Sequence, residues 1–393
     1  MNMNRLVDFK LKDKRVLIRS DLNVPIKSGV IVSEKRIQAS LPSILHAIKE
    51  GAQVMVTSHL GRPEEGNYTA ENSLQPVAQY LSVHLNQEVP LIKNWVTKPF
   101  SVESGQLVVL ENCRFNVGEK NNDVDLSKYY AKLADIFVMD AFGTAHRKHA
   151  STYGVAEYCK EACAGILFSR EVEALNKIMS APKLPLVAVV GGSKVSTKLS
   201  ILDALSDRVD QLILGGGIAN TFLKAQGFEI GKSLCEDDFI PSAKKIIQKL
   251  EDRGASLPAI TDVICGKRFD EHEPAVLKKI TDVEPDDMIF DLGRISISGI
   301  TEKINDAKTI LWNGPLGVFE FKQFSTGTKS LATAIASSNA FSLAGGGDTI
   351  SAIEAFGVEK DISYISTAGG AFLEFVEGKK LPAIEVLEKR TRV

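Results

Sequence analysis

Apolar residues in this chain fall into short runs, and each run ends in glycine or polar residues. Residues 16–18 lead into Arg19-Ser20-Asp21-Leu22-Asn23, and 54–56 lead into Thr57-Ser58-His59-Leu60-Gly61-Arg62-Pro63. Residues 107–110 lead into Glu111-Asn112-Cys113-Arg114, and 136–139 lead into Asp140 and, a few positions on, His146-Arg147. The second half repeats the habit. Runs at 186–190, 212–214, 310–312, 341–343 and 364–366 open onto Gly191-Gly192-Ser193-Lys194, Gly215-Gly216-Gly217, Asn313-Gly314-Pro315, Gly345-Gly346-Gly347-Asp348-Thr349 and Thr367-Ala368-Gly369-Gly370. Between the runs the spacing predicts amphipathic helices at 37–49, 74–85, 198–205, 240–250 and 329–337. Continuous apolar strands alternating with helices predict parallel sheets covered on both faces. Ligands in such sheets bind outside the carboxyl ends of the strands.

One central stretch, 164–198, stands apart. Its first half reads as a helix with apolar Ile166, Leu167, Val172, Leu175 and Ile178, and Pro182 and Pro185 end it. A buried strand then turns through a glycine pair onto Lys194 and Lys198, an outline suited to phosphate. The stretch reads as a hinge joined to half of an active site.

Length makes this plausible, because 393 residues exceed what one core comfortably serves. The chain is therefore read as α/β, with two doubly wound parallel-sheet, Rossmann-like domains joined by a central helix hinge. The boundaries are 1–165, a hinge helix at 166–182, a second domain at 183–376, and a tail at 377–393 returning to the first domain. The apolar fraction of 44% and charged fraction of 24% are those of a soluble globular protein. A net charge of −2 argues against nucleic acid or an anionic membrane as partner. The five cysteines show no metal spacing and the N-terminus no signal-peptide core, which points to a cytoplasmic enzyme.

The two halves differ in chemistry. The first offers Arg19, Arg36, Arg62, Arg114 and Arg147, with His59 and His146 beside arginines at strand ends. Isolated arginines often form surface ion pairs. Five, four of them following strand runs, fit forked capture of a small ligand with anionic ends. The histidines fit a ligand role and a satisfied loop role equally. The second half offers glycine triplets, which let backbone amides approach an anion. Asp348 after the second triplet fits either Mg2+ held with nucleotide oxygens or a helix cap. Lys194 and Lys198, four apart, share one face if the helix has begun by then. They could neutralise a moving phosphoryl group, or simply be solvated. The string Trp312 to Glu320 reads as a rigid ligand loop. There is no G-x-G-x-x-G for a nicotinamide dehydrogenase and no Walker A pattern. A non-catalytic, hinge-bending binding protein fits the lysine pair and GGGDT poorly.

Taken together, RSDLNVP at 19–25, SHLGRP at 58–63, LENCRF at 110–115, DAFGTAHR at 140–147, GGSKVSTK at 191–198, GGGIANTF at 215–222, LWNGPLGVFE at 311–320, GGGDT at 345–349 and STAGGAFLE at 366–374 resemble the phosphoglycerate kinases over essentially the whole chain. The resemblance implies reversible phosphoryl transfer between 1,3-bisphosphoglycerate and ADP, giving 3-phosphoglycerate and MgATP, in a cytoplasmic monomer. It implies substrate contacts from Asp21, Asn23, Arg36, His59, Leu60, Gly61, Arg62, Arg114 and Arg147. It implies nucleotide contacts from Lys198, Gly215, Gly216, Asn313, Pro315, Glu320, Gly346, Gly347, Asp348 and Thr349, with Asp348 on Mg2+. Arg36, Lys194 and Lys198 would be catalytic. Thr197, Ala368 and Phe372 depart from the usual family residues, and 257–265 reads less like the usual strand.

Overall fold

The computed structural model describes residues 2–391. The chain divides into two compact units. One takes in the residues up to Glu173 and from Lys380 onward, and the other Ala174–Lys379.

The first unit is built on a six-stranded parallel sheet. Its order is Leu91–Ile92, Leu107–Leu110, Gln53–Thr57, Arg15–Ser20, Ile136–Asp140, Glu161–Ala164. These strands are buried on both faces, which is why their sequence reads as continuous apolar runs and not as alternation. Helices Lys35–Lys49, Gln75–Leu85 and Val124–Leu133 belong to this unit. The last is capped by Asp123, which accepts the Leu126 amide at 2.9 Å. Strand Arg15–Ser20 pairs on one side with Gln53–Thr57 and on the other with Ile136–Asp140, so the winding reverses direction there. That reversal opens a crevice at the carboxyl ends.

The closing helix Pro382–Lys389 groups with this unit. The Ala383 amide donates to the Ala145 carbonyl at 3.1 Å, and the Arg390 guanidinium donates to the Cys159 carbonyl at 2.6 Å. Residues 392 and 393 of the expected tail lie outside the described residues.

The second unit has a five-stranded parallel sheet, ordered Gln211–Gly215, Leu186–Gly191, Thr309–Asn313, Phe341–Ala344, Tyr364–Ile365. Here the winding reverses between Leu186–Gly191 and Thr309–Asn313. It also carries an antiparallel sheet of Val276–Lys279, Asp262–Gly266 and Met288–Leu292, which the sequence reading did not separate. The stretch 257–265, judged a poor strand, enters this sheet as Asp262–Gly266, with a register shift at Ile264/Cys265.

Helix Ile166–Met179 begins in the first unit and ends in the second. At its start the Ile166 amide donates to Ser43 Oγ at 2.8 Å and the Phe168 amide to Asp140 Oδ1 at 3.1 Å. At its end the Met179 carbonyl accepts Arg208 Nη1 at 2.7 Å. Both ends thus satisfy otherwise orphaned backbone groups.

Candidate active site

Each unit carries one half-site at the carboxyl ends of its parallel strands. In the first unit, Arg19 closes its strand, Asp21 and Asn23 follow it, and His59 to Arg62 follow Gln53–Thr57. Arg114 follows Leu107–Leu110, Arg147 follows Ile136–Asp140, and Arg36 stands in the first turn of Lys35–Lys49. Arg36 Nη1 donates to the Asn23 carbonyl at 3.0 Å and faces Asp21 Oδ1 at 3.4 Å. Asn23 Oδ1 accepts the Gly61 amide at 2.9 Å, and Arg114 Nη1 donates to the Gly61 carbonyl. Gly61 therefore links three strand-end loops. Its φ of +62°, with Asn72 Oδ1 only 1.9 Å from where a Cβ would lie, admits no other residue without rearrangement. Leu60 turns its side chain into the apolar core, and its carbonyl accepts Asn112 Nδ2 at 2.7 Å. Arg62 is exposed.

This half-site concentrates positive charge with few acids. His59 is buried, and its pKa is driven well below the usual histidine value by that burial and then by Arg19, Arg114, Arg147 and Arg36. The ring is therefore neutral. Burial also lowers the Arg114 pKa. The Nε groups of Arg114 and Arg147 are buried with no hydrogen-bond partner among the described residues. Two guanidinium donors so placed suit a multivalent anion that brings its own acceptors.

Arg19, one of the five arginines but not among the implied substrate contacts, is almost fully buried here and reaches His59 Nδ1 at 3.3 Å. Glu119, fully buried beneath the cluster, had no signal at all in the sequence. An arginine closing an apolar strand run was the available clue to the first. The second becomes visible only when the loops meet.

In the second unit, Lys198 Nζ donates to the Gly191 carbonyl at 2.5 Å and the Asn313 carbonyl at 3.1 Å. It thereby ties together the two strand ends at the winding reversal. Burial lowers its pKa to about 8, partly offset by Asp348. Helix Leu199–Ser206 starts one residue after it, so Lys194 and Lys198 do not share a helical face as the spacing suggested. Lys194 lies in the exposed turn before it, its carbonyl accepting Thr197 Oγ1 at 2.9 Å.

Gly191 and Gly215 lie beneath the Pro315 carbonyl, which would stand 1.8 and 2.2 Å from a Cβ on each, so close backbone approach explains both glycines. The Gly216 amide donates to the Leu316 carbonyl at 2.9 Å. Asn313 Nδ2 donates to the Gly345 carbonyl at 2.7 Å, while its Oδ1 is buried and unpartnered among the described residues. Gly346 caps helix Gly347–Phe356, which places Gly347, Asp348 and Thr349 in the first turn with their amides free of helical partners. The Thr349 hydroxyl is already engaged, donating to the Gly345 carbonyl at 2.9 Å and accepting the Gly314 amide at 2.7 Å. What Thr349 can offer a ligand is thus its amide. Asp348 and Glu320 are exposed.

Of the departing residues, Ala368 is buried and its amide donates to Ser366 Oγ at 3.2 Å, while the Phe372 ring packs against Gly345. One cluster of metal-capable carboxylates, Glu284, Asp286 and Asp287, lies elsewhere in this unit. Lys267 and Lys278 pair with it at 2.7–3.0 Å, so most of its charge is already met.

Known proteins share this fold. The model of the phosphoglycerate kinase family matches residues 6–379. Phosphoglycerate kinase from Vibrio campbellii is 56% identical over 392 residues, covering 100% of both chains. The structure of phosphoglycerate kinase from Coxiella burnetii is 52% identical, with a TM-score of 0.97 and 100% coverage of both chains. That from Pyrococcus horikoshii OT3 is 32% identical, with a TM-score of 0.82 over 99% of this chain and 100% of the other. With sequence and fold in agreement, the chain belongs to the phosphoglycerate kinase family.

Proposed function

We propose that the two half-sites divide between them the phosphoryl transfer that membership of this family entails, between 1,3-bisphosphoglycerate and ADP. The observation that carries this reading is the pair of buried, unpartnered Arg114 and Arg147 Nε groups beside a neutral His59. A dianionic phosphate supplies the acceptors they lack. His59, Arg62, Arg114 and Arg147 hold the distal phosphate of the three-carbon substrate, with Leu60 and Gly61 contributing backbone. Asp21, Asn23 and Arg36 take its hydroxyl and carboxyl end.

In the second unit Gly215, Gly216 and Pro315 line the base, Glu320 binds the ribose, and Asn313 shapes the loop. Lys198, Gly346, Gly347 and the Thr349 amide hold the nucleotide phosphates. A single exposed carboxylate at a helix start suits Mg2+, which is commonly bound by one or two carboxylates plus substrate phosphates. Asp348 would hold it, and the ion would neutralise phosphate charge.

Transfer needs the carboxylate oxygen of 3-phosphoglycerate and the terminal oxygen of ADP in line across one phosphorus. Residues from both units must therefore serve one reaction, and closure also excludes water. We read helix Ile166–Met179 as the hinge that allows it, with the domains divided at 1–165, 166–182, 183–376 and 377–393. Lys194, Lys198 and Arg36 then steady the equatorial oxygens in transit. The enzyme is read as a cytoplasmic monomer, with small-molecule partners only. The direct test is ATP formation from 1,3-bisphosphoglycerate and ADP with Mg2+ in a coupled assay. Absence of turnover by folded protein would contradict the reading.

A further inference from the structure

Beneath the arginine cluster runs a chain of buried side chains whose hydrogen bonds can point only one way. Arg19 donates through Nε to Ser151 Oγ at 3.0 Å and through Nη1 to the Ser20 carbonyl at 2.6 Å. Its Nη2 faces His59 Nδ1 at 3.3 Å. A guanidinium has donors and no acceptor. His59 Nδ1 is therefore the acceptor, and the one proton of the neutral ring sits on Nε2. The same logic runs the other way. Ser151 Oγ accepts from Arg19, so its single proton is left to donate onward. Its short partner is Glu119 Oε1, and the alternative, Cys113 Sγ, lies at 3.7 Å. The Ser151 amide donates to Glu119 Oε2 at 3.2 Å, so the serine grips the carboxyl group twice.

Glu119 is fully buried. Besides Ser151 it meets the Tyr130 hydroxyl at 3.5 Å and His149 Nδ1 at 3.9 Å. Its carboxyl group lies within electrostatic reach of Arg19 and Arg114. Burial raises its pKa most, while Ser151 and the two arginines lower it. Ser151 and Glu119 are fully buried polar side chains, whereas the buried Tyr130 ring is also packed against Trp95, centroids 4.8 Å apart.

We propose that Ser151 and Glu119 are positioning residues for the anion half-site: they clamp the Arg19 guanidinium, which in turn locks His59 into the tautomer whose only donor is Nε2–H. The half-site then offers a fixed neutral donor next to its arginines. A ring free to exchange tautomers would present a donor at Nε2 only part of the time. The kinetic consequence rests on reading the cluster as the phosphoglycerate site, but the tautomer does not.

The test is spectroscopic first. In 15N-labelled full-length protein, long-range proton–nitrogen correlations report each imidazole nitrogen. The expected result is His59 with unprotonated Nδ1 and protonated Nε2 across about pH 6 to 8, the range in which free histidine titrates. Ser151→Ala, and separately Glu119→Gln, should move both ring nitrogens toward the averaged positions of exchanging tautomers. In the same variants KM for 3-phosphoglycerate should rise about tenfold, the equivalent of one weakened charge-assisted hydrogen bond, with KM for ATP unchanged. A native His59 protonated on Nδ1, or ring signals indifferent to both substitutions, overturns the proposal. The native measurement alone decides if a variant fails to fold. Ring signals that move while KM does not would uphold the positioning chain and overturn the substrate assignment instead.

Discussion

Burial acts differently on Arg114 and Lys198, though it lowers the pKa of both. A guanidinium has so high an intrinsic pKa that burial lowers it without discharging it, so Arg114 stays a cation at any working pH. The ammonium of Lys198 is lowered to about 8, so its charge is conditional. The sign follows directly: the cation is present below that pH and lost above it. We expect kcat/KM for nucleotide, which reports the free enzyme, to fall as pH rises through about 8. Lys198→Arg should push that limb to higher pH, and an unmoved limb would remove Lys198 from the nucleotide site. Arg114→Ala, which also frees the Gly61 carbonyl, should raise KM for 3-phosphoglycerate by about a hundredfold or more, in line with loss of a buried charged partner, and leave KM for ATP alone. At this scale the sequence was readable where chemistry sat at a strand end. It was silent where a residue acts from below, because Glu119 has no pattern around it and acquires meaning only from Ser151 and Arg19.

The strands were legible because both faces of each parallel sheet are covered, so their central positions form continuous apolar runs. The antiparallel sheet was not, for a physical reason. Strand Val276–Lys279 is largely exposed, and Asp262 opens its neighbour with a buried carboxylate. That carboxylate is employed in accepting the Ile295 and Ser296 amides at 3.0 and 2.8 Å, at the start of helix Arg294–Asp306. Helices Gly216–Ala225 and Gly347–Phe356 follow the glycine triplets as expected, but they begin within the triplets, where glycine reads as a turn. Two other elements rest on buried carboxyls. Asp140 receives the Phe168 amide at the start of the interunit helix, and Asp291 receives the Gly327 amide at 2.7 Å. Burial lifts both to about 7 from 3.8. Because the folded-state pKa is raised, the folded chain binds these protons more tightly. Their stabilising contribution is complete below about 4 and is lost as pH climbs to about 7, at a cost of up to about 4 kcal/mol each. Urea unfolding between those limits should show a flatter stability–pH slope for Asp140→Asn and for Asp291→Asn than for the native chain. Parallel slopes would mean that neither carboxyl titrates differently on folding.

At the scale of the molecule the account is a division of labour: anion chemistry in one unit, nucleotide chemistry in the other, and a helix running from Ile166 to Met179 through the boundary. The family and the two-part α/β fold were legible from nine ordered motifs. The units divide at Glu173/Ala174, inside the helix where the sequence places the hinge, although a continuous helix carries no break in its pattern to mark the exact residue. Arg36 tests the division most sharply. It sits in the first unit, bonded to the Asn23 carbonyl and facing Asp21, yet its proposed duty is to the phosphoryl group in transit. Steady-state kinetics of Arg36→Ala, with MgADP affinity measured separately by calorimetry, decides the matter. The account expects kcat to fall by about 10²–10³, as when one preorganised transition-state donor is removed, with MgADP affinity unchanged. A large loss of MgADP affinity with kcat preserved would contradict it.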